Sequence, residues 1–327
     1  VRSIDRRGPV LTPSGLACLV GAATVNVTSG CAHDCVYCYA RGYTRYPGDG
    51  VVVVYGDTAR RIAQELPRKR RRPRTVYFCP SCDAFQPLET VLDQSFQSMA
   101  AALDGGAGVE FVTKGAVPEG FLALFRDHPG RVAAQVGLTT LDDGLRRLLE
   151  PGAASVGERL RGVVRLREAG VHVSIRADPL IHDLTDTDAG LRALLAASRE
   201  CGVTDVAASY LFLRPAIAAG LTRSMPDRAL AARLLAPYAH GSRFTLRGGA
   251  SGGVALPHAI RRAGFDRMAR LAAEHGLRVH VCGCKNADVT RGRCHLIRYA
   301  AGDREPALPE PPPGLLWDSG APDSRRA

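Results

Sequence analysis

The chain has 327 residues, 46% of them hydrophobic, with ten cysteines and a formal charge of +11. That length buries a full core and favours one large domain with decorations over two equal ones. No apolar run approaches the roughly 18 residues of a membrane span, and Val1-Arg2-Ser3-Ile4-Asp5 lacks a signal-peptide hydrophobic stretch, so a cytoplasmic location is expected, where cysteines serve as ligands or buried thiols rather than a disulfide scaffold.

Strand-like and helix-like segments alternate along the sequence. A first strand is predicted over 22–28, then a helix over 57–66 capped by Asp57, a second strand over 75–79 and a helix over 88–103. The third strand, 109–113, leads to a helix opening near Pro118. The fourth, 131–138, leads to a helix after Ser155 with Leu160, Val163, Val164 and Leu166 on its apolar side. The fifth spans 171–176, a helix follows over 187–201, and the sixth strand spans 205–213. Six βα units in series imply an α/β fold, a parallel sheet with helices outside it. Further on, Gly248 to Gly253 reads as a flexible connector, since it lacks the Lys-Ser/Thr ending of a phosphate loop. A last apolar strand is expected over 277–281, and the proline-rich segment 308–327, with Trp317, as an extended tail. Cys18 and Cys201 sit in apolar or helical context and read as buried thiols.

The chemistry is concentrated directly after the first strand, in Gly30-Cys31-Ala32-His33-Asp34-Cys35-Val36-Tyr37-Cys38-Tyr39-Ala40-Arg41. CxxxCxxC supplies three thiolates where a closed [4Fe–4S] cluster takes four, so Cys31, Cys35 and Cys38 leave one iron open for a small molecule, as a catalytic metal keeps a free position. A zinc site with His33 as fourth ligand, or a chance cluster, is the plainer alternative. The motif resembles that of the radical S-adenosylmethionine (SAM) enzymes. Its flanks, Asn26 to Cys31 and Tyr37 to Arg41, resemble the spore photoproduct lyases and the related DNA repair photolyase-like proteins. So do Pro80-Ser81-Cys82-Asp83-Ala84-Phe85-Gln86-Pro87-Leu88-Glu89, Val112-Thr113-Lys114, Leu138-Thr139-Thr140-Leu141-Asp142, Leu149-Glu150-Pro151 and Ala177-Asp178-Pro179-Leu180-Ile181.

The resemblance spans about residues 20 to 215. It implies a radical SAM partial (β/α)6 barrel with a C-terminal Cys-containing extension, a [4Fe–4S] cluster that binds SAM, and an electron donor such as flavodoxin or ferredoxin. The expected organisation is an N-terminal extension (1–20), the core (21–215), a C-terminal helical region with a cysteine loop (216–307) and the tail (308–327). Parallel barrels carry their chemistry at the carboxyl ends of the strands, where the conspicuous polar residues fall. Tyr37 is expected by the adenine, with Lys114, Arg176, Thr140 and the Ser81/Asp83 turn as further SAM contacts; for Lys114 a rim salt bridge, and for Arg176 a mutual pair with Asp178, are the structural alternatives. Cys79 and Cys82 correspond to the region where the lyases carry a hydrogen-returning cysteine, and Tyr37 and Tyr39 to their radical-relaying tyrosines; the same CxxC can instead ligate a cluster or zinc, or one thiol can simply be buried.

A second cysteine group follows the last strand: Cys282-Gly283-Cys284-Lys285-Asn286, then Cys294-His295. These three suit a second iron–sulfur cluster or zinc completed by His295, Cys79 or Cys82, or Cys282 and Cys284 act as radical-handling thiols. The run Arg68-Lys69-Arg70-Arg71-Arg72-Pro73-Arg74 can grip a nucleic acid if it lies beside the active-site mouth, although a charge run is ordinarily a solvated face. Together these features favour reductive SAM cleavage and hydrogen abstraction from a small metabolite, nucleotide or peptide. Repair of thymine lesions in DNA is the alternative, and a nonenzymatic iron–sulfur or zinc protein that binds nucleic acid is the alternative of another class.

Overall fold

In the computed structural model, which describes residues 1–14, 17–19, 21–225, 227–245, 252–290, 292 and 294, two short strands, β1 (Arg2–Ile4) and β2 (Thr12–Pro13), precede β3 (Ala23–Val25), β4 (Thr28–Ser29) and β5 (Val53–Tyr55). Helices and strands then alternate: α1 (Thr58–Arg68), β6 (Thr75–Phe78), α2 (Glu89–Asp104), β7 (Gly108–Thr113), α3 (Glu119–Arg126), β8 (Val132–Gly137), the pair α4 (Asp143–Leu149) and α5 (Val156–Glu168), β9 (His172–Leu180), α6 (Asp188–Glu200) and β10 (Asp205–Tyr210). The remainder comprises β11 (Phe212–Leu213), α7 (Pro215–Ser224), α8 (Arg228–Leu235), β12 (Ser242–Thr245), β13 (Gly252–Ala255), α9 (His258–Glu274) and β14 (Arg278–Val281).

The main sheet has eight strands in the order β14-β10-β9-β8-β7-β6-β3-β2. All are parallel except β2, which pairs antiparallel with β3. Each βα step places its strand beside the preceding one, giving an α/β fold with a mostly parallel sheet, consistent with a radical SAM partial barrel. The strands read as apolar runs because both faces are covered: Val76, Phe78, Val109, Phe111, Val136, Ile175 and Val206 are all buried. Phe85, Phe111, Phe121 and Phe125 pack their rings together on one side. No helix among the described residues is long and apolar enough to cross a membrane.

Several local expectations are corrected. The segment expected as the first strand divides: β3 stays in the main sheet, whereas β4 leaves it to pair antiparallel with β5. The sixth divides in the same way, with β11 joining β13 and β12 in a separate small sheet; Gly252 and Gly253 are therefore strand residues, not connector. Asp57 makes no side-chain cap on α1; its carboxylate accepts from Arg6 N at 3.0 Å instead. Ser155 does cap α5, in a reciprocal box with Glu158, but Val164 on that helix faces solvent. Helix α4, unexpected from periodicity, is short and begins at the side-chain cap of Asp142 on Leu145 N. The sheet also continues beyond residue 215, since β14 runs parallel beside β10. The tail 308–327, Trp317 and His295 lie outside the described residues.

Candidate functional site

Parallel pairing sends every carboxyl end of the core strands to one edge of the sheet, and a cavity of about 510 Å³ opens there. Every cysteine of the chain except Cys201 lines it. A larger depression of about 670 Å³, bordered by Arg167, His172 and Arg278, lies at the amino-terminal edge and gathers no comparable chemistry.

The loop carrying Cys31, Cys35 and Cys38 is fixed from both sides. Gly30 turns the chain with φ +82°, where a Cβ would meet Val51 O at 2.1 Å, so this position requires glycine. Gln86, buried, accepts from Ala32 N at 2.7 Å and donates to Thr28 Oγ1 and Asp83 O. On the other side Val36 N donates to Leu149 O and Gly152 N to His33 O. Gly152 approaches so closely that a Cβ would stand 2.0 Å from Ala32 O. Both His33 ring nitrogens face acceptors, Nδ1 the Gly152 carbonyl at 3.1 Å and Nε2 the Asp83 carboxylate at 3.1 Å. His33 is thus a bracket between the two sides of the loop.

Burial raises all three thiols in the metal-free chain, Cys35 to about 12. They stay protonated at neutral pH until a metal displaces the protons. Beneath them the Tyr37 hydroxyl donates to Glu150, which pairs with Arg159 at 2.6 Å. Arg159 also donates to the Gly137 and Ala154 carbonyls, each at 2.9 Å. Burial pushes the Glu150 carboxyl up, but Lys114 and Arg159 outweigh it and hold the group below its ordinary value.

The turn after β6 carries the next group. Cys79 has φ +59°, uncommon for a residue with a Cβ, and its carbonyl accepts from Cys82 N at 3.4 Å. Burial raises both, yet hydrogen bonds from Cys79 and Thr28 outweigh it at Cys82 and draw that thiol down. Tyr39 donates its hydroxyl to Pro80 O, inside this turn. Ser81 is anchored through N and Oγ, both 3.0 Å from Asn26 Oδ1. Asp83 receives Phe85 N, Thr113 Oγ1 and Lys114 N, each at 2.8 Å, besides His33. The Asp83 carboxylate, expected at the SAM ribose, is thereby occupied by the protein itself. Lys114 Nζ stands 5.7 Å from the Tyr37 ring centre, on the wall beside the three cysteines. Thr140 is away from the cavity and accepts from Asp142 N at 3.0 Å.

At the opposite wall, Arg176 donates to Asp178 at 2.7 Å and to Gln135 Oε1 at 2.9 Å, and Lys285 Nζ reaches the same Asp178 at 2.7 Å. Arg176, expected on SAM, lines the cavity and lies beside Asp178, Cys282 and Cys294. Cys282, Cys284 and Cys294 come together, and the residue that joins them is Cys18, from the short turn Ala17–Leu19. Cys18, expected like Cys201 as a buried thiol, is only half-buried, and so is Cys201. Cys79 and Cys82 stay on the other side, near Cys31. Sequence reasoning passed over Glu150, Arg159, Gln86 and Lys285 as site residues, although Gln86, Glu150 and Lys285 lie inside the motif segments; an apolar-face arginine in α5 was the available signal for Arg159.

The run 68–74 joins the end of α1 to the start of β6, at the amino-terminal edge of the sheet. It is consequently on the edge opposite the cavity mouth.

Comparison with known proteins agrees with this geometry. The chain is 28% identical over 306 residues to the uncharacterized protein Rv2578c of Mycobacterium tuberculosis (strain ATCC 25618 / H37Rv), covering 90% of this chain and 79% of that protein. It is 28% identical over 189 residues to the Radical SAM Nalpha-GlyT isomerase of Pseudomonas phage M6, spanning 56% of this chain and 38% of the isomerase. Spore photoproduct lyase complexed with dinucleoside spore photoproduct shares the fold, with a TM-score of 0.64 at 17% identity over 85% of this chain and 80% of the lyase. The model of the Radical SAM superfamily matches residues 25–194, and with its three cysteines at the cavity wall the chain belongs to that superfamily and is a radical SAM enzyme.

Proposed function

We propose that the protein removes a hydrogen atom from a small organic substrate held in the cavity between the two cysteine-bearing walls, with a metabolite, nucleotide or peptide as the substrate class. The observation that carries this reading is that Cys31, Cys35 and Cys38 share one cavity of about 510 Å³ with Tyr39, Cys79 and Cys82, a volume within the roughly 300–1,000 Å³ of small-molecule sites. The residues fit the cofactors implied by the family: three unpaired thiols for a [4Fe–4S] cluster and an adjoining wall with the Lys114 cation for SAM. When bound, these cofactors supply one-electron cleavage of SAM and a 5′-deoxyadenosyl radical.

The chain's own contribution is positional. Lys114 provides a cation for the SAM carboxylate, Tyr37 an apolar ring for the adenine, and Glu150 with Arg159 holds that ring still. Asp83 and Ser81 brace the loops that carry these groups. Cys79 and Cys82 are the hydrogen-atom donors of the reading, with Tyr39 as relay because its hydroxyl meets the turn between them. A thiol suits that role because its S–H bond is weak. The phage relative's name, an isomerase, is in keeping with a hydrogen that is removed and then returned.

Thymine-lesion repair is the second reading, favoured by that thiol pair. It requires a DNA path other than the 68–74 run, which sits at the far edge of the sheet. The test is anaerobic reconstitution, reduction, and measurement of 5′-deoxyadenosine released from SAM, alone and with DNA bearing spore photoproduct. Release indifferent to DNA supports the small-substrate reading, whereas stimulation with restored thymines replaces it with repair. No release from a fully loaded cluster sinks both and returns the nonenzymatic alternative.

A further inference from the structure

We propose that Cys18, Cys282, Cys284 and Cys294 hold a second, fully ligated [4Fe–4S] cluster in the wall of the cavity opposite the three-cysteine loop. Residues from the two ends of the described chain form the set. Cys282 follows β14 directly, and its N–H bonds Ala208 O at 3.1 Å, so the second loop starts from the sheet itself. Cys18 and Cys284 pack against the buried Cys282 and Cys294, and all four line the same cavity. The four thiols thus form one group, and none is in a disulfide.

The loop is built to stay in place. The Cys282 carbonyl accepts from Asn286 N at 3.1 Å and Asn286 Nδ2 at 3.0 Å, while Gly283 N bonds Gly292 O at 2.9 Å. Asn286, buried, is held in turn by Arg261 at 3.0 Å. The Cys294 carbonyl takes Gln135 Nε2 at 2.9 Å, which ties the far end of the loop to β8. Buried polar side chains spent on one short loop imply that its cysteine positions matter, since unpaired burial of such groups is costly.

Charge and position then select the occupant. Two cations, Arg176 and Lys285, face these thiols and share the single carboxylate Asp178, leaving the trio net positive. A tetrathiolate cluster is an anion and gains from that surplus. Among the described residues, the only His, Cys, Asp or Glu group with ligand atoms all within 4.8 Å of one another is His182, Asp183 and Asp186. The cysteines are not that group; both sets instead line one cavity, where an occupant able to pass electrons, as zinc is not, suits a radical enzyme. Four cysteines leave no open iron, so this cluster stores or passes electrons and does not bind SAM.

The test uses the full chain, reconstituted without oxygen, with iron, sulfide and zinc counted and the reduced sample examined by EPR and Mössbauer spectroscopy. The wild type should carry about eight irons and eight sulfides, twice the content of one cubane. Replacing Cys31, Cys35 and Cys38 together by Ser should leave about half, still with [4Fe–4S] spectra. Cys18→Ser alone should reduce the wild-type total toward half, or leave a spectroscopically distinct site with altered ligation, while the other cluster persists and vouches for the fold. A wild type saturating at four irons overturns the proposal, as does one zinc per chain in the triple variant, or thiol mapping that shows these cysteines paired as disulfides.

Discussion

The two cysteine-bearing walls of the cavity differ in how they are made. The tripod is local: its ligands lie within eight consecutive positions, Cys31 to Cys38, in one loop whose backbone is clamped by Gln86, His33 and Gly152. The second set is assembled from a distance, with Cys18 from before the first core strand meeting three cysteines from after the last. A local motif needs the fold only for support, whereas a distributed one exists only once β3 and β14 occupy the same sheet. Unfolding therefore scatters the second set and leaves the first as a flexible but contiguous trio.

The largest expected effect falls on the tripod. Cys31→Ala should abolish measurable 5′-deoxyadenosine release while circular dichroism stays native; retained release would remove this loop from its role. Next is the support beneath it. Glu150→Gln leaves Arg159 buried beside a neutral group and should cost about 3–5 kcal/mol, read as a lower denaturant midpoint. The wild type should also lose stability as pH falls below the ordinary glutamate value of about 4.3, because Glu150 is held lower when folded and its contribution is present only above that range. The variant should show a flatter acid limb, and an unchanged limb would assign the pH dependence to other carboxylates.

Cluster loading should be steeply pH-dependent on the tripod side. The metal-free thiols are raised by burial, so protons must leave as iron binds, and uptake should rise between pH 7 and 9 by up to about tenfold per unit for each proton released. A flat profile in a Cys18→Ser background would argue that the loop is open to water before loading. Lys114→Met should weaken SAM binding by about ten- to a hundredfold, the scale of a charge-assisted hydrogen bond, without changing the iron count; unaltered affinity would return Lys114 to a structural part. The smallest effect belongs to the 68–74 run. Neutralising Arg70, Arg71 and Arg72 should change release by less than about twofold, as for other surface substitutions, and a large loss with DNA present would mean that a polyanion wraps around to the far edge.

The six-unit βα rhythm was legible because parallel strands buried on both faces repeat a simple apolar signature, and the rhythm survives even where β4 and β11 depart from the main sheet. The tripod was legible because its spacing is itself the chemistry. Assigning Arg176 and Asp83 to SAM was less secure, since strand-end position says which edge a residue occupies and not which neighbour claims its charge. Asp83 is taken by Lys114 N, Thr113, Phe85 N and His33, and Arg176 by Asp178 beside the second cysteine set. Those partnerships depend on distances between strands that no single segment encodes.

By itself, then, the sequence determined the alternation of strands and helices, the loop that carries the three cysteines and the kind of cofactors that loop accepts, because hydrophobic period and ligand spacing are local properties of a chain. Tertiary structure alone decided that Cys18 belongs with Cys282, Cys284 and Cys294, that Glu150 and Arg159 lie under Tyr37, and that the basic run faces away from the cavity. Each of these is a meeting, or a separation, of segments far apart in sequence, fixed only when packing brings the strands into register.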